Sequence, residues 1–462
     1  MRSRVIIFVG KKTKSWAIGC EIAVRLSKEG YDVVLCHTTW FSPILRPISL
    51  HRRLNQFVLK HRYKYKTKVL RMSSVKTFSI LFFQALRVLK TTYVFDSTTE
   101  RILSCHFAPY LGTDTASLYS VGRLKLFTSY FRYLALSQVT SKFLAKCNAI
   151  DSTYLFNGRE LVETTIINQL RRRQIKIYLY ERASKSSHYE IYNQSPHKNE
   201  EWWEKITNYK YDKELMRKSH EDGEIQAYIK QKMNGTDPFT LIKWGKYLDE
   251  NLDSAGFLPE KYVVFFSVST SEFSPFPEYN SKAGFRNQFD ALKHLLVIAT
   301  KNKVGVVIRR HPNSLSLGGA DKEHDLWSEF ISSPNVYYFS PTSRVDSYLL
   351  AEKSLAVFTW RSTIGFDTLC RGLPTFAMGP AKWALDERVR AWNELALESI
   401  FNSGYKFPQV NDLVEKYAFY MSSFGTEFEE FEFVERWGYK LRSRKVTRNY
   451  LFQRVLGIPR TL

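Results

Sequence analysis

Apolar residues along the chain come in short β-branched and aromatic runs, each followed by a turn and then by a stretch with helical spacing. The first unit is Val5-Ile6-Ile7-Phe8-Val9, closed by Gly10, with a helix-like pattern from Ser15 to Glu29, Gly30, and a second run from Asp32 to Cys36. A strand, helix, strand unit of this kind feeds parallel strands through a right-handed crossover and builds doubly wound sheets. The pattern then predicts short strand or turn pieces at Thr92–Phe95 and Phe107–Tyr110, a helix over Leu124–Ala145, a strand at Ser152–Phe156, a helix over Glu160–Arg173 and a strand at Lys176–Tyr180. Residues Glu200 to Leu252 are polar and helical in pattern, carry Trp202 and Trp203, and bridge to a second alternation. That alternation predicts strands at Tyr262–Phe266, Gly305–Arg309, Leu355–Phe358 and Thr375–Ala377. Helices are predicted over Gln288–Thr300, Asp346–Ala351 and Ile364–Arg371. The tail from Asn411 alternates Phe, Glu and Tyr before turning basic, and reads as closing helices. The expected fold class is α/β with two Rossmann-like domains. The N-terminal one covers 1–210, the C-terminal one 211–400, and closing helices with a basic tail cover 401–462.

Length agrees with two cores, since 462 residues exceed what one ordinary domain holds. The apolar fraction of 44% and aromatic fraction of 15% exclude wholesale disorder. Charge changes the picture more: 68 Lys and Arg against 45 Asp and Glu leave a surplus of +23, which implies an anionic partner. The surplus is uneven. Arg46 to Arg71 holds nine Lys or Arg and no acid, and Val434 to the end holds eight against Glu435 alone. A charge run is commonly a solvated face, and these two are equally consistent with acceptor or membrane contact. The five cysteines at 20, 36, 105, 147 and 370 lack ligand spacing, which disfavours disulfides and structural zinc. Val5 to Gly10 is too short for a signal-peptide core, and the best apolar stretch, Phe78 to Phe95, is broken by Arg87 and Lys90, short of the ~18 residues a span needs. The expected location is cytoplasmic, with any membrane contact peripheral.

Two stretches carry candidate chemistry. Val304 to Asn313 is an apolar strand that delivers Arg309 and His311 to its carboxyl end, where open α/β sheets bind ligands, and Pro312 ends the ladder. Some fifty residues on, a strand gives way to Ser362 and Thr363 at a helix start, with Gly365 permitting close approach and Asp367 in the first turns. Helix starts suit phosphates, and Asp367 is placed to accept from ribose hydroxyls. Each motif alone also reads as an ordinary strand end or a capped helix. Together they point to a nucleotide site.

Arg309-x-His311-Pro312, Val345-Asp346-Ser347-Tyr348-x-Leu350 and Ser362-Thr363-x-Gly365-x-Asp367 resemble the bacterial capsule polysaccharide biosynthesis proteins, which are GT-B type glycosyltransferases. Phe156-Asn157-Gly158-Arg159 and Tyr180-Glu181-Arg182 resemble the Asn-Gly-Arg and Glu-Arg-Gly elements of the same family. Ser267 to Glu272 with Asn287-Gln288 resembles its Ser-Ser-x-x-Glu and downstream Gln. The likeness covers about residues 150 to 385, with Ala183 in place of the family's glycine and Asp367 in place of its more usual Glu. It implies two Rossmann-like domains facing across a cleft, and Asn157, Arg159 and Gln288 as substrate-binding residues. It also implies transfer of a sugar from a nucleotide-activated donor to a growing surface glycan or lipid-linked glycan (capsule, O-antigen or lipopolysaccharide). The His-Pro and Ser-Thr pair is similar to Kdo transferases and bacterial sialyltransferases, which favours a CMP-sugar donor.

Such a transfer needs the leaving phosphate stabilised and, for inversion, a base for the acceptor hydroxyl. Arg309, His311 and the helix start can do the first without metal, and no Asp-x-Asp occurs. Glu181, Glu272 and Asp96, each after an expected strand, are the candidate bases, with Glu181 leading because Arg159 is placed to orient it. No cofactor or metal is expected. Gly10-Lys11-Lys12-Thr13 is similar to the end of a phosphate loop but lacks its first glycine. The partners expected are the donor, the glycan acceptor and the inner membrane through segments 46–71 and 436–460. An epimerase or pyruvyl transferase on the same fold is the nearest alternative. A nucleic-acid binder, suggested by charge and His61 to Lys66, lacks any recognition signature.

Overall fold

The computed structural model describes residues 3–10, 13–37, 66–69, 75–89, 94–111, 121–147, 149–193, 199–208, 221–235, 258–269, 284–312, 320–391, 393–401, 405–434 and 438–441, with 118, 196, 217, 219 and 314. In chain order the elements begin β1 (Arg4–Val9), α1 (Thr13–Lys28), β2 (Asp32–His37), β3 (Lys66–Val69), α2 (Val75–Leu86), α3 (Ser97–Leu111) and α4 (Arg123–Ala145). They continue with β4 (Ile150–Phe156), α5 (Leu161–Arg171), β5 (Lys176–Arg182), β6 (His188–Tyr192), α6 (Asn199–Asn208), α7 (Glu224–Met233), β7 (Tyr262–Phe266) and α8 (Gln288–Lys301). Next come β8 (Gly305–Arg309), α9 (Ala320–Ile331), β9 (Val336–Phe339), α10 (Ser347–Glu352), β10 (Val357–Thr359), α11 (Ile364–Cys370) and β11 (Thr375–Ala377). The last are α12 (Glu394–Phe401), α13 (Asn411–Ser423), β12 (Thr426–Glu427), β13 (Phe431–Val434) and β14 (Gly438–Leu441).

The chain divides into two compact units that are not contiguous in sequence. Unit 1 takes Met1–Asp96, Gly122–Pro196 and Ser423–Leu462, and unit 2 takes Ser97–Val121 and His197–Ser422. Each is an α/β unit built on a mostly parallel sheet, as the hydrophobic pattern predicts.

Unit 1 has the strand order β12-β6-β5-β4-β1-β2-β3, in which only β6 runs against its neighbours. The chain winds from β1 to β3 on one side and from β4 outward on the other, so the order reverses between β1 and β4. Val5, Ile7 and Val9 alternate onto one face, where α1 covers them together with Tyr154, Phe156 and Tyr180. The hairpin of β13 and β14 adds Phe431 and Tyr439 to that core.

Unit 2 has the order β11-β10-β7-β8-β9, all parallel, reversing between β7 and β10. Both faces are covered. Val263, Phe265, Val306 and Ile308 point to the side closed by α8 and Trp327, while Tyr262, Val264, Phe266 and Val307 point to the side closed by α10. Continuous apolar strands are what burial on two faces requires.

The structure departs from the sequence pattern in two places. Phe107–Tyr110, expected as a strand or turn piece, lies inside the helix Ser97–Leu111. Four apolar residues fit either period, and the length of the surrounding element decides. The tail forms one helix and then three strands rather than closing helices alone, because the two-residue alternation Phe431-Glu432-Phe433 is a strand period. Among the described residues no helix is long and apolar enough to cross a membrane.

Candidate functional site

Ligands of open α/β sheets bind outside the carboxyl ends of the strands where the strand order reverses. Each unit has one such edge.

In unit 2 the edge is formed by residues after β7, β8 and β10. The alternation that puts Val307 towards α10 puts Arg309 there too and sends Arg310 to the other face, where its guanidinium lies 5.4 Å over the Trp327 ring. Arg309 is only 6% exposed. Its Nη1 donates to the carbonyls of Ser340 at 2.5 Å and Arg310 at 3.2 Å, and its Nη2 to that of Ser343 at 3.1 Å. Burial lowers its pKa to about 10. Arg309 is thus a post that fixes the loop leading into α10, and its Nη atoms are committed to that loop. His311 stands half-buried at the edge, and its backbone N–H donates to Ser267 Oγ at 3.0 Å, while Ser267 N–H donates to the Arg309 carbonyl at 3.1 Å. Ser267 therefore locks the ends of β7 and β8 together.

Ser362 and Thr363 follow β10 at the same edge. Ser362 N–H donates to Thr359 Oγ1 at 3.1 Å, and its carbonyl accepts from Trp383 Nε1 at 2.9 Å. Gly365 is there for Trp383: a Cβ at this position would lie 2.1 Å from the indole. The Thr363 side chain is exposed and does not cap α11, and the N–H groups of Gly365, Phe366 and Asp367 already bond within the turn. Asp367 points to a protein network. Its Oδ2 accepts from Tyr348 Oη at 2.9 Å, and its Oδ1 lies 4.0 Å from Lys232 Nζ. Burial first and the Asp367 carboxylate second push the Tyr348 phenol upward. Arg371 stacks 4.0 Å over the Tyr348 ring and pairs with Glu352 at 2.5 Å. Asp346 caps α10 by accepting from Tyr348 N–H at 2.7 Å, so the residues of the Val345–Leu350 motif hold the Asp367 network.

Gln288 is 2% exposed, and both ends of its amide are used on Val268, accepting from its N–H at 3.1 Å and donating to its carbonyl at 3.2 Å. It shapes the residues after β7 from α8, whose start is capped by Asn287. Glu272 lies outside the described residues.

In unit 1 the edge gathers residues from β1, β4 and β5. Tyr180, fully buried, donates through its hydroxyl to the carbonyls of Phe8 at 2.8 Å and Ser15 at 3.1 Å, which pins β5 to β1 and α1. The next residue, Glu181, is thereby set against the first turn of α1. Its Oε1 accepts from Lys14 Nζ at 3.1 Å and from Arg182 N–H at 3.1 Å, and its Oε2 accepts from Asn157 Nδ2. Asn157 is 3% exposed and takes φ of 55°, followed by Gly158 at φ of 81°; this left-handed pair turns the chain back so that the amide reaches Glu181. Lys14 also lies 5.2 Å over the Phe156 ring, and Gly10 N–H donates to Ser15 Oγ at 3.0 Å. Arg159 follows at the same edge, half-buried, but the groups that hold Glu181 are Lys14, Arg182 N–H and Asn157. Asp96 is exposed in an irregular stretch before α3 and is not a strand-end residue.

Sequence reasoning missed Lys14, Lys232 and Trp383 as site residues and named Tyr348 only as part of a motif. The incomplete phosphate loop read at Gly10-Lys11-Lys12-Thr13 stops one residue short of Lys14.

No family model matches the chain, and no curated protein does. Among solved structures it is similar to KpsC of Thermosulfurimonas dismutans, described as a beta Kdo 2,4 transferase, with 10% identity, 55% of this chain and 79% of that chain covered, and a TM-score of 0.35. It is also similar to a putative UDP-N-acetylglucosamine 2-epimerase from Listeria monocytogenes, with 10% identity, 93% and 92% covered and a TM-score of 0.25. A third is a glycosyltransferase from Rickettsia africae, with 9% identity, 91% and 93% covered and a TM-score of 0.24. TM-scores this low leave the functional argument to the chain's own residues.

Proposed function

We propose that this chain is a GT-B type glycosyltransferase of the kind found among capsule polysaccharide biosynthesis proteins. The observation that carries the reading is placement. The motif residues of the second half, His311, Ser362 and Thr363, stand at the carboxyl edge of the unit 2 sheet, and those of the first half, Asn157, Arg159 and Glu181, at that of unit 1. Unit 2 takes the nucleotide sugar, with the donor phosphates held at His311, Ser362 and Thr363 and the edge kept in shape by Arg309 and Gln288. Asp367 acts through Tyr348, fixing α11 against α10. Unit 1 takes the acceptor, and Glu181, held in place by Lys14, Arg182 N–H and Asn157, removes the proton of the attacking hydroxyl. No step in this account uses a metal. A CMP-sugar is the favoured donor and a growing surface glycan the acceptor, at the inner face of the cytoplasmic membrane.

Thermal unfolding with CMP, UDP, GDP and dTDP tests the donor half, since the right nucleotide stabilises by about 2.7 kcal/mol at a hundredfold excess over Kd. Product analysis with and without a glycan acceptor tests the reaction, because an epimerase needs none. Failure of all four nucleotides to raise the unfolding midpoint sinks the reading.

A further inference from the structure

Helices α2 and α4 of unit 1 pack through aromatic rings, with Phe82 meeting Phe127 at 5.4 Å and Phe131 at 6.1 Å. Away from that contact they leave apolar side chains in solvent: Ile80 and Phe83 on α2 are 57% and 66% exposed, Leu89 in the turn after it 44%, and Leu124 at the start of α4 71%. Ile80 and Phe83 are three residues apart and share a helix face. Arg123 donates to the Val88 carbonyl at 3.4 Å, which brings the first turn of α4 beside the turn that carries Leu89. Exposed apolar residues scattered singly are ordinary, but four on neighbouring turns make a patch. Arg87 and Lys125, both exposed, stand among them.

The sequence stretches that carry these helices hold charge of one sign. Residues 33–95 contain twelve Lys or Arg and no Asp or Glu, and residues 115–150 contain five and none, so these two stretches supply 17 positive charges unopposed in a chain whose surplus is +23. Both helices lie wholly within them. A nucleic-acid surface uses such charge on phosphates and stacks bases on aromatic rings, but three of these four side chains, Ile80, Leu89 and Leu124, are aliphatic and offer no ring. A bilayer surface uses both, the cations on anionic headgroups and the apolar side chains at the acyl boundary.

We propose that the α2–α4 face of unit 1 docks on an anionic lipid leaflet, with Ile80, Phe83, Leu89 and Leu124 entering the headgroup boundary and Arg87 and Lys125 meeting lipid phosphates. This deepens the peripheral-membrane part of the proposed function by assigning it a face, and it is separate from the transfer chemistry. The helices lie on the leaflet and do not cross it, since α2 has 12 residues and α4, though 23 long, is not apolar enough to span.

The test floats the full chain with vesicles of phosphatidylcholine alone or with one-third phosphatidylglycerol. Wild type is expected to partition about tenfold or more in favour of the anionic vesicles, weakening as salt rises. The double variants Ile80→Ser with Phe83→Ser, and Arg87→Glu with Lys125→Glu, are each expected to lose about tenfold, with unfolding midpoints near wild type. Should the apolar pair lower the midpoint, Leu124→Ser carries the same expectation. Transfer to a short, water-soluble acceptor stays at the wild-type rate in every variant, so failure of docking and failure of the transferase reading are told apart. Equal partition onto neutral and anionic vesicles, or wild-type partition by both double variants, overturns the proposal. So does RNA binding that depends on Arg87 and Lys125 while vesicles are ignored.

Discussion

At the carboxyl edge of the unit 1 sheet, strand-end and helix-start residues converge on a carboxylate, with Lys14, Arg182 N–H and Asn157 all donating to Glu181. At the corresponding edge of unit 2 the strand ends carry hydroxyls, a histidine and buried arginines, and the nearby carboxylate of Asp367 is held by Tyr348. The two sheets share winding and a reversal in strand order, yet one edge gathers donors around a carboxylate and the other gathers groups suited to an anion. In the proposed function these similar scaffolds take complementary halves of a transfer reaction. The chemistry is set by the few residues past each strand end, not by the sheet.

The contrast is broken most strongly at Glu181. Glu181→Gln keeps the shape but removes the base, and turnover is expected to fall by about 10²- to 10⁴-fold with little change in nucleotide affinity. Unchanged turnover would move the base elsewhere. Next is Arg309. Arg309→Met strips donors from the carbonyls of Ser340 and Ser343, and the expected loss is stability, about 2–3 kcal/mol in denaturant unfolding. A wild-type midpoint with lost nucleotide binding would return Arg309 to direct phosphate contact. His311→Ala and Ser362→Ala are expected to weaken nucleotide binding by about 1.5–3 kcal/mol each, read by calorimetry, while Glu181 variants bind normally.

The smallest effect concerns a second buried carboxylate of unit 1. Glu21 accepts from the N–H groups of Glu429 and Glu430 at 2.6 and 3.2 Å, and burial raises its pKa from 4.5 to about 7. The folded chain then binds a proton that the unfolded chain has released, so stability declines as pH climbs from about 4.5 to about 7 and levels off above. The slope amounts to something on the order of 2 kcal/mol, and Glu21→Gln should flatten it in unfolding measured across that range.

Much of this was readable from residues alone. The strands Tyr262–Phe266, Gly305–Arg309 and Thr375–Ala377 match their sequence-based limits because apolar β-branched runs end there against Gly, Pro or charge. The strand-end positions of Arg309 and His311 follow from the same limits, whereas Glu181, expected just after a strand ending at Tyr180, lies inside β5, which runs on to Arg182 to pair with β6. What side chains touch did not follow. Periodicity puts Arg309 at an edge, but only the path of residues 340–343 shows its guanidinium engaged there. Lys14 and Glu181 stand 167 positions apart, and no local pattern links them. Gly365 was read as room for a phosphate, whereas the room is filled by Trp383.

The strand β12 lies next to β6 at the end of the unit 1 sheet, although more than 230 residues separate the two. During synthesis unit 2 is complete once Ser422 has emerged, while unit 1, begun first, still lacks β12, the hairpin of β13 and β14, and the backbone groups that Glu21 accepts from. A chain cut after Ser422 would therefore damage its beginning and not its end, leaving β6 as an uncovered edge open to pairing with other chains. Limited proteolysis of such a fragment should release peptides from 1–96 and 122–196 while 258–422 persists. Quality control that samples the nascent chain would meet the completed unit 1 sheet last, after the unit 2 sheet has closed.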